Sequence, residues 1–179
     1  MQLSVTQIGE EVRQIEQDLD VDWLARTLSG KNTADFRVLS GHQAQISVQR
    51  IGLDVYLSAE CTLRLQTDCA ACLRTFELDV PVAFSLTLKP RPQPGAGLPD
   101  EMELSKEDLE ECFYEGDVID LDEILREQIV LALPMYPRCK EDCRGLCPVC
   151  GVDLNQETCD CQREDVDPRL AILKTLTKH

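Results

Sequence analysis

Two runs of strict alternation dominate the middle of the chain. Leu53, Val55, Leu57, Ala59, Cys61, Leu63 and Leu65 alternate with Asp54, Tyr56, Ser58, Glu60, Thr62 and Arg64. Phe76, Leu78, Val80, Val82, Phe84, Leu86 and Leu88 repeat the pattern on even numbers. Period two over this length is a strand with one buried face. In an antiparallel pair the two apolar sets share a side only if paired residue numbers sum to an odd value. A turn centred on Ala70-Ala71 meets that condition and predicts one long hairpin. A shorter strand at about 44–50 joins it. The pattern implies an α+β fold: an antiparallel sheet built on a long β-hairpin, packed with several helices, plus a small C-terminal cysteine-rich zinc-binding element.

The helices are read from 3.6-residue spacing and end signals. Ile8, Val12, Ile15 and Leu19 predict an amphipathic helix over 7–18. Asp20 caps a second, with Val21, Leu24, Ala25 and Leu28 on one face and Gly30 past its end. Ser105-Lys106-Glu107-Asp108 resembles a capping box opening a short acidic helix. Residues 120–132 form a further helix, with acids at its N-terminus, Leu121, Ile124, Leu125, Ile129 and Ala132 on one face, and Pro134 as its stop. A last helix opens at Asp167-Pro168. Pro90, Pro92, Pro94, Gly95, Gly97 and Pro99 mark a linker over 89–100. The organisation read from this is a core domain over 1–134, including that linker and an acidic helical segment at 101–134, followed by the cysteine-rich element and final helix over 135–179.

The net charge of −15 is concentrated. Residues 100–134 hold 13 acids and 2 bases, whereas the stretches on either side are near neutral. Such a block repels nucleic acid and attracts basic proteins. Arg138, Lys140 and Arg144 lie beside the C-terminal cysteines, leaving room for RNA contact there without forming a basic stripe. No apolar run approaches a membrane span, and Met1-Gln2-Leu3-Ser4 does not open a signal peptide, so a cytoplasmic protein without membrane contact is expected.

Ten cysteines in a reducing compartment argue for metal rather than disulfides. Six lie close together: Cys139, Cys143, Cys147, Cys150, Cys159 and Cys161. Paired thiols separated by a short loop suit a tetrahedral zinc site, and four close one site. Cys147 and Cys150 form the primary pair, because Pro148 and Gly151 shape a turn that aims backbone amides at sulfur. Cys143 and Cys161 are the next ligands, with Cys139 and Cys159 as competitors. A closed four-thiolate site is structural and leaves no position for a reacting water. Cys69 and Cys72 stand at the hairpin tip. They read as small core residues, as half of a zinc knuckle completed by the distal cluster, or as a redox pair. Cys61 reads as core, Trp23 likewise, and Cys112 takes no role.

Enzyme chemistry finds no support in the motifs. The two histidines, His42 and His179, belong to no nucleophile–base arrangement, and no phosphate-cradling glycine loop is present.

An ordered set of signatures resembles the YceD family, the large ribosomal RNA subunit accumulation proteins. They are Cys69-Ala70-Ala71-Cys72-Leu73 with Phe76, then Ile119-Asp120-Leu121 leading to Leu131-Ala132-Leu133-Pro134. Gly145-Leu146-Cys147-Pro148-Val149-Cys150-Gly151 with Leu154-Asn155 follows, then Cys159-Asp160-Cys161 and Asp167-Pro168-Arg169-Leu170. The resemblance covers roughly residues 44–176 and implies a non-enzymatic factor for 23S rRNA accumulation and large ribosomal subunit biogenesis. Given the acidic middle, the expected partners are the pre-ribosomal large subunit and a basic ribosomal protein or assembly factor, with contact to 23S rRNA direct or indirect. The competing expectation is a thiol-redox or zinc-handling protein using Cys69 and Cys72.

Overall fold

The computed structural model describes residues 1–29, 36–40, 42–91 and 111–161. The chain divides into two compact units. One comprises Met1–Thr67 and Glu77–Met135; the other comprises Asp68–Phe76 and the chain from Tyr136 onward.

The first unit is built on a six-stranded sheet and a small two-stranded one. The strands are β1 (Gln2–Ser4), β2 (Arg13–Leu19), β3 (Arg37–Ser40), β4 (His42–Ile51), β5 (Asp54–Asp68), β6 (Thr75–Pro90), β7 (Glu111–Tyr114) and β8 (Val118–Asp120). The larger sheet runs β2-β4-β5-β6-β7, with β3 also pairing β5; β1 and β8 pair antiparallel by themselves. β7 lies parallel to β6, and the β2–β4, β4–β5 and β3–β5 pairs are antiparallel. The described part is thus α+β with a mostly antiparallel sheet.

The alternation is realised from Val55 onward; Leu53, expected on the buried face, is exposed in the turn before β5. Val55, Leu57, Ala59, Leu63 and Leu65 of β5 are buried, and Val80, Val82 and Leu88 of β6 join them. Ala44, Ile46 and Val48 of β4 extend the same apolar layer. The turn differs from the expected two-residue connection. β5 ends at Asp68 and β6 begins at Thr75, so residues 69–74 form the loop. The Cys69 N–H donates to the Arg74 carbonyl at 2.9 Å, moving the centre of pairing at the turn to between Ala71 and Cys72. The sum of paired numbers stays odd, so the two apolar faces still agree. Ala-Ala lacks the conformational freedom a two-residue turn demands, and the longer loop removes that demand.

Among the described residues there are two α-helices, fewer than expected. α1 (Val21–Thr27) is capped by Asp20, whose carboxylate accepts the Trp23 N–H at 2.6 Å. Leu24 and Leu28 are buried, and Trp23 is partly buried against the core. α2 (Leu121–Ala132) is capped by Asp120, which accepts the Asp122 and Glu123 N–H groups; Leu121, Leu125 and Ile129 are buried. Both caps satisfy amides that a helix start leaves without partners.

The helix expected over 7–18 is instead largely β2, paired with β4 from Arg13↔Val48 to Leu19↔His42. The spacing of Ile8, Val12, Ile15 and Leu19 imitates a helical face, but Val12 is exposed while Ile15 packs against the core and Leu19 is buried. An open sheet edge at β4 decided the outcome, since sheet pairing there outweighs a weak local preference. The expected helices at Ser105 and at Asp167, and most of the 89–100 linker, lie outside the described residues.

The alternation gives a sharp mutational contrast. Leu63→Ala should lower unfolding free energy by about 2–5 kcal/mol through loss of a buried side chain. Thr62→Ala, its exposed neighbour, should stay within about 0.5 kcal/mol. Chemical denaturation of both variants measures the difference.

Candidate metal centres

The described residues of the second unit hold little regular structure, so their order comes from turns and side chains. Eight cysteines fall into two groups of four, each with all sulfurs within 4.8 Å of one another: Cys69, Cys72, Cys139 and Cys143, and Cys147, Cys150, Cys159 and Cys161. Both sets could hold a metal ion. Cys143 therefore keeps company with Cys69, Cys72 and Cys139, while Cys159 and Cys161 both stand with Cys147 and Cys150. Cys61 and Cys112 are half-buried against the core of the first unit.

The first group joins the loop 69–74 to the segment after Tyr136. Cys69 and Cys143 sulfurs are 3.8 Å apart, and those of Cys72 and Cys139 are 3.7 Å apart. A tetrahedral ion with sulfur at roughly 2.3 Å has ligand–ligand edges of roughly 3.8 Å. A disulfide would need sulfurs at about 2.05 Å. The spacing therefore suits four thiolates around one ion. Backbone bonds set the two segments together independently of the thiols: Ala70 N–H to the Pro137 carbonyl at 2.8 Å, and Leu146 N–H to the Ala71 carbonyl at 3.0 Å. Leu73 takes a left-handed conformation, φ 59°, and its N–H returns to the Cys69 carbonyl, closing the turn that brings Cys69 and Cys72 to one side.

Donors surround these sulfurs. The Cys139 N–H points at Cys69, the Arg74 guanidinium lies 3.7 Å from Cys139, and the Asn155 amide lies 3.5 Å from Cys143. Asn155 is itself fixed, since its oxygen accepts the Arg144 N–H and its amide also reaches Asp153. Such outer contacts orient ligands and offset the negative charge of a tetrathiolate. Sequence position alone does not mark Arg74 and Asn155 as site residues. The signal was their adjacency to cysteine motifs, Arg74 two residues after Cys72 and Asn155 within the Leu-Asn pair.

In the second group, Cys147 and Cys150 are held by a small hairpin. Leu146 and Asp153 form an antiparallel bridge, and the Cys147 N–H donates to the Val152 carbonyl at 2.8 Å. The Gly151 N–H returns to the Cys147 carbonyl at 2.8 Å, while the Val149 N–H points at the Cys147 sulfur at 3.4 Å. This is the turn that Pro148 and Gly151 imply.

Crowding sets the protonation of the thiols. Burial opposes ionisation of Cys69, but the backbone N–H groups of Cys139, Cys72 and Ala71 outweigh it and bring the thiol down to about 6. Cys72 receives the Arg74 N–H, yet burial and its thiol neighbours push it up to about 11. In the second group the Cys150 and Val149 N–H groups lower Cys147 to about 6. Hydrogen bonding with Cys150, then burial and Cys159, pushes Cys161 up to about 12. Each group thus pairs a thiol that ionises readily, Cys69 or Cys147, with one that resists, Cys72 or Cys161.

Residues 57–177, well over half of the chain, match the model of the family described as large ribosomal RNA subunit accumulation protein YceD. The chain belongs to the YceD family. Among curated relatives, the uncharacterized protein YlbN of Bacillus subtilis is 30% identical over 142 residues, covering 76% of this chain and 72% of that protein. An uncharacterized protein of Mycobacterium tuberculosis is 44% identical over 57 residues, 32% of this chain and 27% of that protein. The chloroplastic large ribosomal RNA subunit accumulation protein YCED homolog 1 of Arabidopsis thaliana is 37% identical over 49 residues, 27% of this chain and 15% of that protein. The chain thus spans about a quarter of the mycobacterial relative's length and less of the plant relative's. No solved structure matches. Both cysteine groups of this YceD-family chain fall within the matched region.

Gly145 sits where the C-terminal segment crosses the loop. Its φ is +73°, and an added Cβ would lie 2.8 Å from the Ala71 carbonyl oxygen. Gly151 has φ +76° but open space around it. Gly151→Ala should therefore cost about 1–2 kcal/mol for the left-handed backbone alone. Gly145→Ala should cost clearly more, because the overlap is with backbone. Thermal unfolding of the second unit separates them, and equal losses would contradict the close approach.

Proposed function

We propose that this YceD-family protein is a non-enzymatic factor for accumulation of 23S rRNA, and so for large ribosomal subunit biogenesis, in the cytoplasm. The observation that carries this is the family match over residues 57–177. Among the described residues no helix is long and apolar enough to cross a membrane. Zinc is the proposed ion at both cysteine groups. All-sulfur donor sets at tetrahedral spacing favour it, and its role there is to hold the second unit in shape.

The proposed mode of action is contact with protein: the pre-ribosomal large subunit through a basic ribosomal protein or assembly factor. Glu115, Asp117, Glu123 and Glu127 are exposed members of the acidic block. Glu107, Asp108 and Glu110 lie outside the described residues. Arg138, Lys140 and Arg144 offer a weaker route to 23S rRNA. The competing thiol-redox reading has two cysteines acting alone. The placement of Cys69 and Cys72 beside two further thiols favours a shared ion over a reversible dithiol.

Depletion of the protein should lower 23S rRNA relative to 16S rRNA and reduce free large subunits in sucrose gradients, with re-expression restoring both. An unchanged ratio would overturn the reading. Neutralising Glu115, Glu123 and Glu127 together to Gln should weaken co-sedimentation with precursor large subunits, most visibly at low salt. Pull-down with nuclease should retain protein partners; loss of every partner would shift the proposal to direct RNA binding.

A further inference from the structure

The two cysteine groups differ in exposure and in backbone support. Cys69, Cys72 and Cys143 are 0%, 6% and 8% exposed, and Cys139 is half-buried. Cys150 and Cys161 are exposed, Cys159 is half-buried, and Cys147 alone is buried. A chelator or thiol replaces a zinc ligand by approaching the ion, so exposed sulfurs mark the open side.

Charge points the same way. Four thiolates around a divalent cation leave a net charge of −2. At the first group that charge faces the Arg74 guanidinium and the Asn155 amide. At the second, the Val149 N–H points at the Cys147 sulfur at 3.4 Å. Asp160 stands between the two last ligands in sequence. Asp153 is occupied by Asn155 and Gln156.

Backbone support differs as well. A thiolate that lets go of an ion rebinds quickly if its backbone stays in place. In the first group the bonds Ala70–Pro137 and Leu146–Ala71 keep both ligand-bearing segments together. In the second, Cys147 and Cys150 lie on the small hairpin, but Cys159 and Cys161 lie in chain with no regular structure.

Resting on the reading that both groups bind zinc, we propose that the Cys147, Cys150, Cys159 and Cys161 centre is an exchangeable zinc site. The Cys69, Cys72, Cys139 and Cys143 centre is the permanent one. The protein would then give up and regain one ion of two while the loop 69–74 stays joined to the segment after Tyr136.

The test uses the full chain purified with zinc. Metal content is measured first; fewer than two zinc ions per chain would overturn the zinc reading and this proposal with it. With two bound, excess 4-(2-pyridylazo)resorcinol should release them in two phases of one ion each, differing by about tenfold or more in rate. Brief iodoacetamide treatment followed by peptide mapping should modify Cys150 and Cys161 during the fast phase while Cys69, Cys72 and Cys143 stay protected. Cys161→Ser should remove the fast phase and leave the slow one. A single phase of two ions, or first labelling at Cys69 and Cys72, would overturn the proposal. The labelling map is read on the unaltered chain, so it stands even where a variant fails to fold.

Discussion

The convergence of Cys69 and Cys72 with Cys139 and Cys143 is the constraint on which the second unit depends. The pairs lie about seventy residues apart in sequence, with separations of 74 for Cys69–Cys143 and 67 for Cys72–Cys139. Among the described residues the local apolar cluster is small: Cys69, Cys72 and Cys143 with Ala71, Phe76, Cys139 and Leu146. A core of that size cannot offset the conformational entropy of ordering two loops. Four thiols converging from both segments could hold a metal ion, and such an ion would tie the two loops together.

The first unit obeys different physics. Its sheet is specified residue by residue, since a slip of one residue would turn Leu57, Leu63 and Leu65 toward solvent. Its helices are short and begin at aspartates that accept backbone amides. This division explains what could be read from the chain in advance. β4, β5 and β6 were legible because burial imposes period two directly on sequence. α1 and α2 were legible because their caps and buried faces are local. β2 was not, because Ile8, Val12, Ile15 and Leu19 fit a helical spacing and only pairing with β4 decides otherwise.

The cysteines were legible as chemistry and illegible as partners. Their residue type and clustering announce metal, but sequence proximity suggests that Cys143 belongs with Cys147. The structure assembles its groups by chain crossing instead, with Gly145 as the residue small enough for the segment to pass against Ala71. Arg74 and Asn155 belong to the same lesson, since their importance lies in which sulfur they meet.

The partition of the eight cysteines is open to direct measurement. With cadmium substituted for zinc, proton–cadmium correlation spectroscopy links each ion to the β-protons of its own cysteines. The account predicts two cadmium resonances, one coupled to Cys69, Cys72, Cys139 and Cys143, the other to Cys147, Cys150, Cys159 and Cys161. One ion coupled to a mixed set such as Cys143, Cys147, Cys150 and Cys161, with Cys69 and Cys72 coupled to none, would contradict it.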